Sequence, residues 1–307
     1  QRDQWDADAA LIQDSTNAWY HENRGYLNFP AGPQSTRLFC EVYERLDPGC
    51  CLIAVASEDK AIIGSCFYHP RETHFSLGIM NVHPQAFGRG VARALLQRII
   101  GLAESDEKPV RLVSSVVNLD SYSLYTKAGF VPRQAYQDMV LEIPAAGIDA
   151  AHPKRDQIRD ATLQDLPDMG DLEQEVANIR RDKDYRFFVD AGERGSDRVA
   201  MGDWHAAVLY RGAELQGWIV SVAHAASHMI GPCVARDQES ATALLLGELN
   251  HRAGQTMVFL VPVECDRMVA TAYAWGARNC ELHVAQVLGQ FQPFNGVVMP
   301  TFMPETA

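Results

Sequence analysis

The sequence has no long hydrophobic run and no Cys-x-x-Cys pair. No apolar segment in its 307 residues reaches the roughly 18 residues that a membrane-spanning helix needs. Seven cysteines, an odd number without that pairing, are typical of free thiols in a reducing compartment. We therefore expect a cytoplasmic protein with no membrane partner.

Basic side chains are scarce relative to acidic ones. The chain has 27 Lys and Arg residues against 39 Asp and Glu residues, and its formal net charge is −12 at pH 7. A broad nucleic-acid surface needs clustered basic side chains, so this composition argues against a nucleic-acid partner. The excess of negative charge favours a cationic amine as ligand, although acidity that serves only solubility would give the same composition.

Histidines at the short spacing of metal ligands are also rare. Among the histidines of the second half, only His224 and His228 lie close together in the sequence. On a strand they would share one face, but two such ligands are too few for a zinc site. We expect no metal.

The segment 82–92 reads Val-His-Pro-Gln-Ala-Phe-Gly-Arg-Gly-Val-Ala, between an apolar strand and an amphipathic helix. Free backbone N–H groups at such a junction lie beside the positive end of the helix dipole and suit a phosphate group. Glycine allows close approach of an anion and positive φ angles. A plain structural turn is the alternative. The candidate ligands are the amides of Phe87, Gly88, Arg89, Gly90, Val91 and Ala92.

A second motif follows the next strand, in residues 118–130. It reads Asn-x2-Ser-x2-Leu-Tyr-x3-Gly-Phe. In this order and at this separation, the two motifs resemble those of the GNAT N-acetyltransferases, and the resemblance covers residues 35 to 145 or so. The family loop reads Gln/Arg-x-x-Gly-x-Gly/Ala, and this sequence departs from it at Phe87, which replaces the usual Gln or Arg.

The resemblance implies acetyl-CoA as acyl donor and assigns roles to several residues. The loop amides would hold the CoA pyrophosphate, and the edge of the strand near Val82 would hold the thioester. Asn118 would hydrogen-bond the pantetheine arm. Tyr125, about two helical turns after Asn118 on the same face, matches the general acid of the family. A tyrosine that only packs on the sheet is the alternative.

The general base is left open by the resemblance. Many GNAT enzymes carry a glutamate on the fourth strand of the family fold, the strand that precedes the glycine loop. Here that strand corresponds to residues 73–82, which contain no carboxylate. His74, His83 and Asp120 are candidates, acting directly or through water, and ordered water alone is another. In the first segment, Tyr20, His21, Tyr26 and Phe29 could line an acceptor pocket or simply pack the loop at residues 25–33.

After a linker at residues 144–153, the order of strands and helices repeats more faintly. The loop at residues 236–241 has no glycine, and its Asp237 and Glu239 would repel a pyrophosphate. Cys265 or Asp266 stands where the first half has Asn118, and no tyrosine matches Tyr125. We expect the second half not to bind CoA, and to serve packing or to complete the acceptor pocket.

The sequence therefore predicts an α/β (α+β) fold of two GNAT-like domains, residues 1–146 and 154–307. Each would have a mixed, mostly antiparallel, twisted sheet flanked by helices. The first domain would open its sheet with a hairpin of residues 51–56 and 61–68 and close it with strands at 130–133 and 138–143.

The function that follows is an acetyl-CoA-dependent N-acetyltransferase, acting as a monomer or homodimer on the amine of a small molecule or peptide. A non-catalytic acyl-CoA sensor or partner protein is the alternative from another class. Transfer of a longer acyl group is a third possibility.

Overall fold

The computed structural model describes residues 2–58, 60–151, 154–193 and 201–306. Elements of the first half come in the predicted order, with two helices before the first hairpin. They are α1 (Arg2–Arg24), α2 (Pro33–Leu46), β1 (Cys51–Val55), β2 (Ile62–Pro70), β3 (Phe75–Val82), α3 (Val91–Ser105), β4 (Val110–Ser115), α4 (Leu119–Lys127) and β5 (Val131–Glu142).

The second half repeats this order and then adds a tail of short strands. Its elements are β6 (Ile158–Asp160), α5 (Leu166–Ala177), α6 (Asp182–Glu193), β7 (Asp203–Arg211), β8 (Glu214–His224), β9 (Ser227–Ala235), α7 (Gln238–His251), β10 (Thr256–Pro262), α8 (Asp266–Ala274), β11 (Arg278–Leu288), β12 (Val297–Met299), β13 (Thr301–Phe302) and β14 (Glu305–Thr306). In the described ranges, no helix is both long and apolar enough to span a bilayer.

The mixed, mostly antiparallel α/β sheet that the sequence predicts is confirmed, with the strands of both halves joined in one sheet. The strand order is β1-β2-β3-β4-β11-β5-β10-β9-β8-β7-β6, with β12 on β9. Parallel pairing occurs at the same place in each half, between β3 and β4 and between β9 and β10. The internal repeat is therefore visible in the topology.

The two halves exchange their last long strands. Strand β11 of the second half lies between β4 and β5 of the first, and β5 lies between β11 and β10. The expectation of a separate sheet for each half therefore needs this correction. Hydrophobic alternation marks a segment as a strand, but it does not name the neighbouring strand.

The two predicted strands at 130–133 and 138–143 are in fact one strand, β5. It pairs with β11 along Val131–Val140 and with β10 along Tyr136–Glu142, so the intervening residues are also held in the sheet. The polar residues at 134 and 137 interrupt the apolar pattern without interrupting the strand.

Helices cover both faces of the first half's strands. Residues of β2 alternate between the faces, as strand geometry requires. Cys66 belongs to the core under α3 and α4, while Phe67 packs against Tyr43 of α2, with ring centroids 4.9 Å apart. The apolar residues that predicted α3 from their helical spacing, including Leu95, Leu96 and Ile99, are buried in the first of these cores.

A gap opens between β3 and β4. The two strands pair in parallel at Phe75–Val110 and Ser76–Arg111 and diverge beyond these residues. The segment 82–92 lies past the far end of β3, and the hairpin β13–β14 contacts both strands. This gap positions the candidate site.

Candidate active site

The glycine loop ends in an uncapped helix. Residues 84–86 form a 3-10 turn, and Gly88 and Gly90 have φ angles of 73° and 83°. Gly90 precedes α3, whose first turn has neither a side-chain cap nor an acidic residue. Among the described residues, and apart from each glycine's neighbours along the chain, no heavy atom lies within 4 Å of where a Cβ on Gly88 or Gly90 would be. The start of α3 is therefore open to an anion.

Not all six predicted amide ligands are equally available. The amides of Phe87 and Arg89 donate hydrogen bonds to the carbonyl oxygens of Pro84 and Ala86, at 3.2 and 3.3 Å. The amides of the first helical turn have no carbonyl acceptor within the helix. An anion at this loop would therefore rely chiefly on Gly88, Gly90, Val91 and Ala92. The side chain of Phe87 is half exposed.

The corresponding helix of the second half carries its own anion. The Asp237 carboxylate caps α7 and accepts a hydrogen bond from the Ser240 amide at 2.7 Å. Although burial opposes it, this bond lowers the pKa of Asp237. Linker residues Ala150 and Ala151 line the cavity of about 280 Å³ between α7 and α8. The Asp237 carboxylate thus takes the place that a phosphate would take at the start of α7.

The gap between β9 and β10 is also closed in the second half. Strand β12 pairs with β9 in antiparallel fashion along Val297–Met299 and contacts β10 as well. The chain then continues to β13 and β14, which lie at the gap of the first half. The tail therefore fills the gap of the second half with β12 and places the hairpin β13–β14 at the gap of the first half.

Asn118 and Tyr125 occupy opposite ends of α4. Asn118 caps the helix, and its side-chain oxygen accepts a hydrogen bond from the Ser121 amide at 3.1 Å. Its side-chain nitrogen is the group that could donate to a pantetheine arm. Tyr125 is buried and packs on Phe130, with ring centroids 5.9 Å apart. Burial raises the pKa of the Tyr125 phenol, and nearby Cys66 and Glu305 raise it further, so the hydroxyl keeps its proton at neutral pH.

The hairpin brings a carboxylate that sequence analysis missed. Glu305, on β14, is buried, and the Tyr43 hydroxyl lies 2.8 and 2.7 Å from its two oxygens. The same hydroxyl lies 3.1 Å from the carbonyl oxygen of Phe302. The Nε2 atom of His69 lies 3.7 Å from Glu305 Oε2. Two-residue strands have no periodicity, so the sequence contains little signal for this placement.

A chain of buried charged groups continues from His69. Its Nδ1 atom lies 2.7 Å from Asp47 Oδ2, and Arg71 Nη1 donates to the same oxygen at 2.9 Å. Burial lowers the pKa of His69, but the hydrogen bond to Asp47 and the nearby Glu305 carboxylate outweigh this effect and raise it. Burial would raise the pKa of Asp47, but the hydrogen bond from His69 and the charge of Arg71 lower it to about 2.

Gly78 makes room for this contact. It lies in β3 where that strand borders the gap, and a Cβ at this position would be 2.9 Å from His69 Nε2. The imidazole and the Glu305 carboxylate can therefore meet beside the strand only because residue 78 has no side chain.

The base candidates named from the sequence lie elsewhere. His74 precedes β3, so it is about 25 Å along the strand from the glycine loop. It is buried beside Ser76, and burial lowers its pKa well below the ordinary value. His83 caps the 3-10 turn by accepting a hydrogen bond from Gln85. Asp120 is exposed in the first turn of α4.

Acidic residues from both halves line the far end of β4. Glu281 of β11 accepts hydrogen bonds from Tyr20, at 3.2 Å, and from Ser115. Asp138 of β5 lies 2.7 Å from His283 Nδ1, and its Oδ1 atom is buried with no hydrogen-bond partner among the residues that the structure describes.

Of the four residues predicted to line an acceptor pocket, two reach this cluster. Tyr20 binds Glu281, and Tyr26 packs on Tyr20, with ring centroids 5.3 Å apart. Phe29 is instead buried against Phe39 in the core, and His21 is exposed.

Comparison with known proteins gives the family. Sequence models described as acetyltransferase (GNAT) domains match residues 49–132 and 196–289, which together make up more than half of the chain. A curated relative, the UPF0157 protein YqkA of Bacillus subtilis, is 38% identical over 69 residues. That match spans 22% of this chain and 20% of YqkA.

Solved structures agree at the level of the fold. A Pyrococcus horikoshii protein assigned as an acetyltransferase has a TM-score of 0.68 at 16% identity, over 99% of this chain and 90% of its own. A tandem GNAT protein from the clavulanic acid biosynthesis pathway has a TM-score of 0.58 at 15% identity, over 93% and 95% of the two chains. From the two sequence matches and this shared fold, we conclude that the chain belongs to the GNAT family of acetyltransferases and carries its domain twice.

Proposed function

We propose that the protein transfers an acetyl group from acetyl-CoA to the amine of a small molecule or peptide, and that the first half performs the chemistry. The observation that carries this proposal is the open, uncapped start of α3 beside the gap between β3 and β4. In the second half, a carboxylate caps the matching helix and a strand fills the matching gap.

The cofactor fits the residues of the first half. Amides at the start of α3 would bind the pyrophosphate, because they are unpaired donors at the positive end of a helix dipole. Gly88 and Gly90 leave space for close approach. The pantetheine arm would run along β3 from Val82 toward the middle of the strand, with Asn118 as a further donor.

Tyr125 would supply the proton that the departing thiolate needs. A phenol with a raised pKa remains protonated at neutral pH and can act as a general acid.

The acceptor would bind on the face of the sheet opposite to Tyr125. The negative charge of Glu281 and Asp138 on that face favours a cationic acceptor. These two residues come from the exchanged strands, so the acceptor region would depend on both halves.

The experiment is an assay of thiol release from acetyl-CoA with a panel of polyamines, aminoglycosides and amino acids. Calorimetry of acetyl-CoA binding runs beside it. Turnover with at least one amine supports the proposal. Binding with no thiol release for any amine would favour an acyl-CoA sensor, and a parallel series of longer thioesters would identify a different acyl preference.

A further inference from the structure

The hairpin β13–β14 is a fixed part of the fold. Thr301, Met303 and Glu305 are all buried, and Met303 belongs to the core that α2 covers. The ring of Phe302 packs on His283 of β11, with centroids 4.7 Å apart. Because several buried contacts hold the hairpin, the position of its carboxylate is set by the fold.

Glu305 and Tyr125 approach the same gap from opposite faces. Tyr125 belongs to the core under α3 and α4, whereas Glu305 is bound by Tyr43 of α2, on the other face. Strand β14 contacts both β3 and β4, the two strands that border the gap. A proton donor and a proton acceptor thus flank the place where the thioester is proposed to lie.

The Glu305 carboxylate retains capacity to accept another hydrogen bond. An ionised carboxylate has about four lone-pair sites, and the single Tyr43 hydroxyl occupies only part of them. His69 Nε2, at 3.7 Å, is beyond ordinary hydrogen-bond distance. An ammonium group could therefore donate to this carboxylate.

We infer that Glu305 is the general base of acyl transfer, a catalytic residue that the second half supplies to the first. This inference rests on the function proposed above. It fills the role that no carboxylate of β3 can fill, since β3 contains none. His69, held by Asp47, is a positioning residue, because its contacts reach the substrate only through Glu305.

The proton balance of the step is simple. Glu305 takes one proton from the acceptor ammonium, and the nitrogen lone pair then forms the bond to the acyl carbon. The carbon–sulfur bond breaks, its electron pair leaves with sulfur, and Tyr125 donates a proton to that thiolate. The second proton lost by nitrogen restores the Tyr125 phenol, and Glu305 returns its proton to water.

The decisive variant is Glu305→Gln, which keeps an oxygen for the Tyr43 hydroxyl but cannot take a proton. We expect kcat to fall by about 10²–10⁴-fold at pH 7. We also expect the pH profile to change shape. Without a base, log kcat should rise with unit slope toward the pKa of the amine itself, near 10, where activity recovers.

Two matched variants separate catalysis from packing. Tyr43→Phe removes the hydroxyl that holds the hairpin but keeps the carboxylate, so its pH profile should keep the wild-type shape. Glu305→Asp keeps a base on a shorter side chain and should regain part of the activity. If Glu305→Gln and Tyr43→Phe both lower activity with unchanged profiles, Glu305 is only an anchor and the inference is wrong.

The remaining outcomes distinguish the two proposals. If the wild-type protein turns over and Glu305→Gln does so at the same rate, Glu305 is not the general base. The proposed function is unaffected by that result. Should the wild-type protein release no thiol at any pH, the proposed function fails, and the base fails with it. If Glu305→Gln does not fold, the comparison of Glu305→Asp with Tyr43→Phe decides. At equal melting temperatures, a larger loss of kcat in Glu305→Asp than in Tyr43→Phe supports the base, and equal losses contradict it.

Discussion

Tyr125 is a phenol enclosed by apolar side chains, and its hydroxyl is its only polar group. The family motif predicts the position, and the structure buries the ring on the helix that begins at Asn118. Its role as general acid stays a prediction, because a packing tyrosine would be buried in the same way. Removing the hydroxyl alone distinguishes the two roles.

For Tyr125→Phe, we expect kcat to fall by about 10²–10⁴-fold, the usual contribution of general acid catalysis, if acyl transfer limits the rate. The ring still packs on Phe130, so the melting temperature and the affinity for acetyl-CoA should stay close to those of the wild type. Steady-state kinetics and calorimetry measure these quantities. Turnover at the parental rate, with chemistry shown to be limiting, would leave Tyr125 as a packing residue.

The lowered pKa of Asp47 predicts how the stability of the folded protein depends on pH. Its pKa is lowered from 3.8 to about 2 in the folded state, so the folded protein binds the proton more weakly than the unfolded chain. This contribution to stability is present above the unfolded pKa and is lost as pH falls through the folded value. A shift of this size corresponds to about 2 kcal/mol.

The measurement is the free energy of unfolding between pH 4 and pH 2, in the wild type and in Asp47→Asn. We expect the variant to be less stable at pH 7, because it weakens the buried ion pair with Arg71, and to have a flatter pH dependence in this window. The exposed Asp120→Asn is the control and should follow the wild-type curve. Equal slopes for wild type and Asp47→Asn would show that Asp47 does not carry the effect.

Among the elements, the helices were predicted more completely than the sheet. The helix α3 lies where the sequence predicts an amphipathic helix after the segment 82–92. The polar middle of β5 makes its sequence resemble two strands, and β12 to β14 are too short to show alternation. Pairing of β5 with β10 and β11 depends on residues more than one hundred positions away, which local patterns do not encode.

The glycine loop and α3 together give a prediction for CoA binding. Gly90→Ala and Gly90→Glu both force a side chain into a left-handed conformation, at a cost of about 1–2 kcal/mol. Only the glutamate adds a negative charge where the pyrophosphate is proposed to bind. We expect calorimetry to show weakened binding of acetyl-CoA for the alanine and no detectable binding for the glutamate.

The same titration counts the sites. With α7 capped by Asp237, we expect one CoA per chain. Two sites per chain, or undiminished binding by Gly90→Glu, would contradict the assignment of the cofactor to the first half. If Gly90→Ala and Gly90→Glu weaken the binding of acetyl-CoA equally, the loss of affinity reflects backbone strain. The anion site must then lie elsewhere.

For the whole molecule, the exchange of β5 and β11 makes the halves interdependent. A fragment of residues 1–148 would have β4 and β5 without the strand that lies between them. We expect this fragment alone to be poorly folded or aggregated and not to bind acetyl-CoA, because it exposes three strand edges that are paired in the intact chain, one on β4 and both on β5. Co-expression with residues 149–307 should restore a soluble complex that binds acetyl-CoA.

Copurification, circular dichroism and calorimetry test this prediction, with the intact chain as the reference. A monomeric fragment of residues 1–148 that folds and binds acetyl-CoA as the intact chain does would show that β11 is dispensable.

The crossed strands also limit how a substrate can enter and leave. A hinge between the halves would have to break the hydrogen bonds of β11 with β4 and β5, and those of β5 with β10, so large-scale opening is costly. The hairpin β13–β14 pairs only with itself in the described structure and is fastened to its surroundings mainly by side chains. The hairpin is itself held by buried contacts, so substrates should enter and leave a preformed gap between β3 and β4 without a large movement of the backbone.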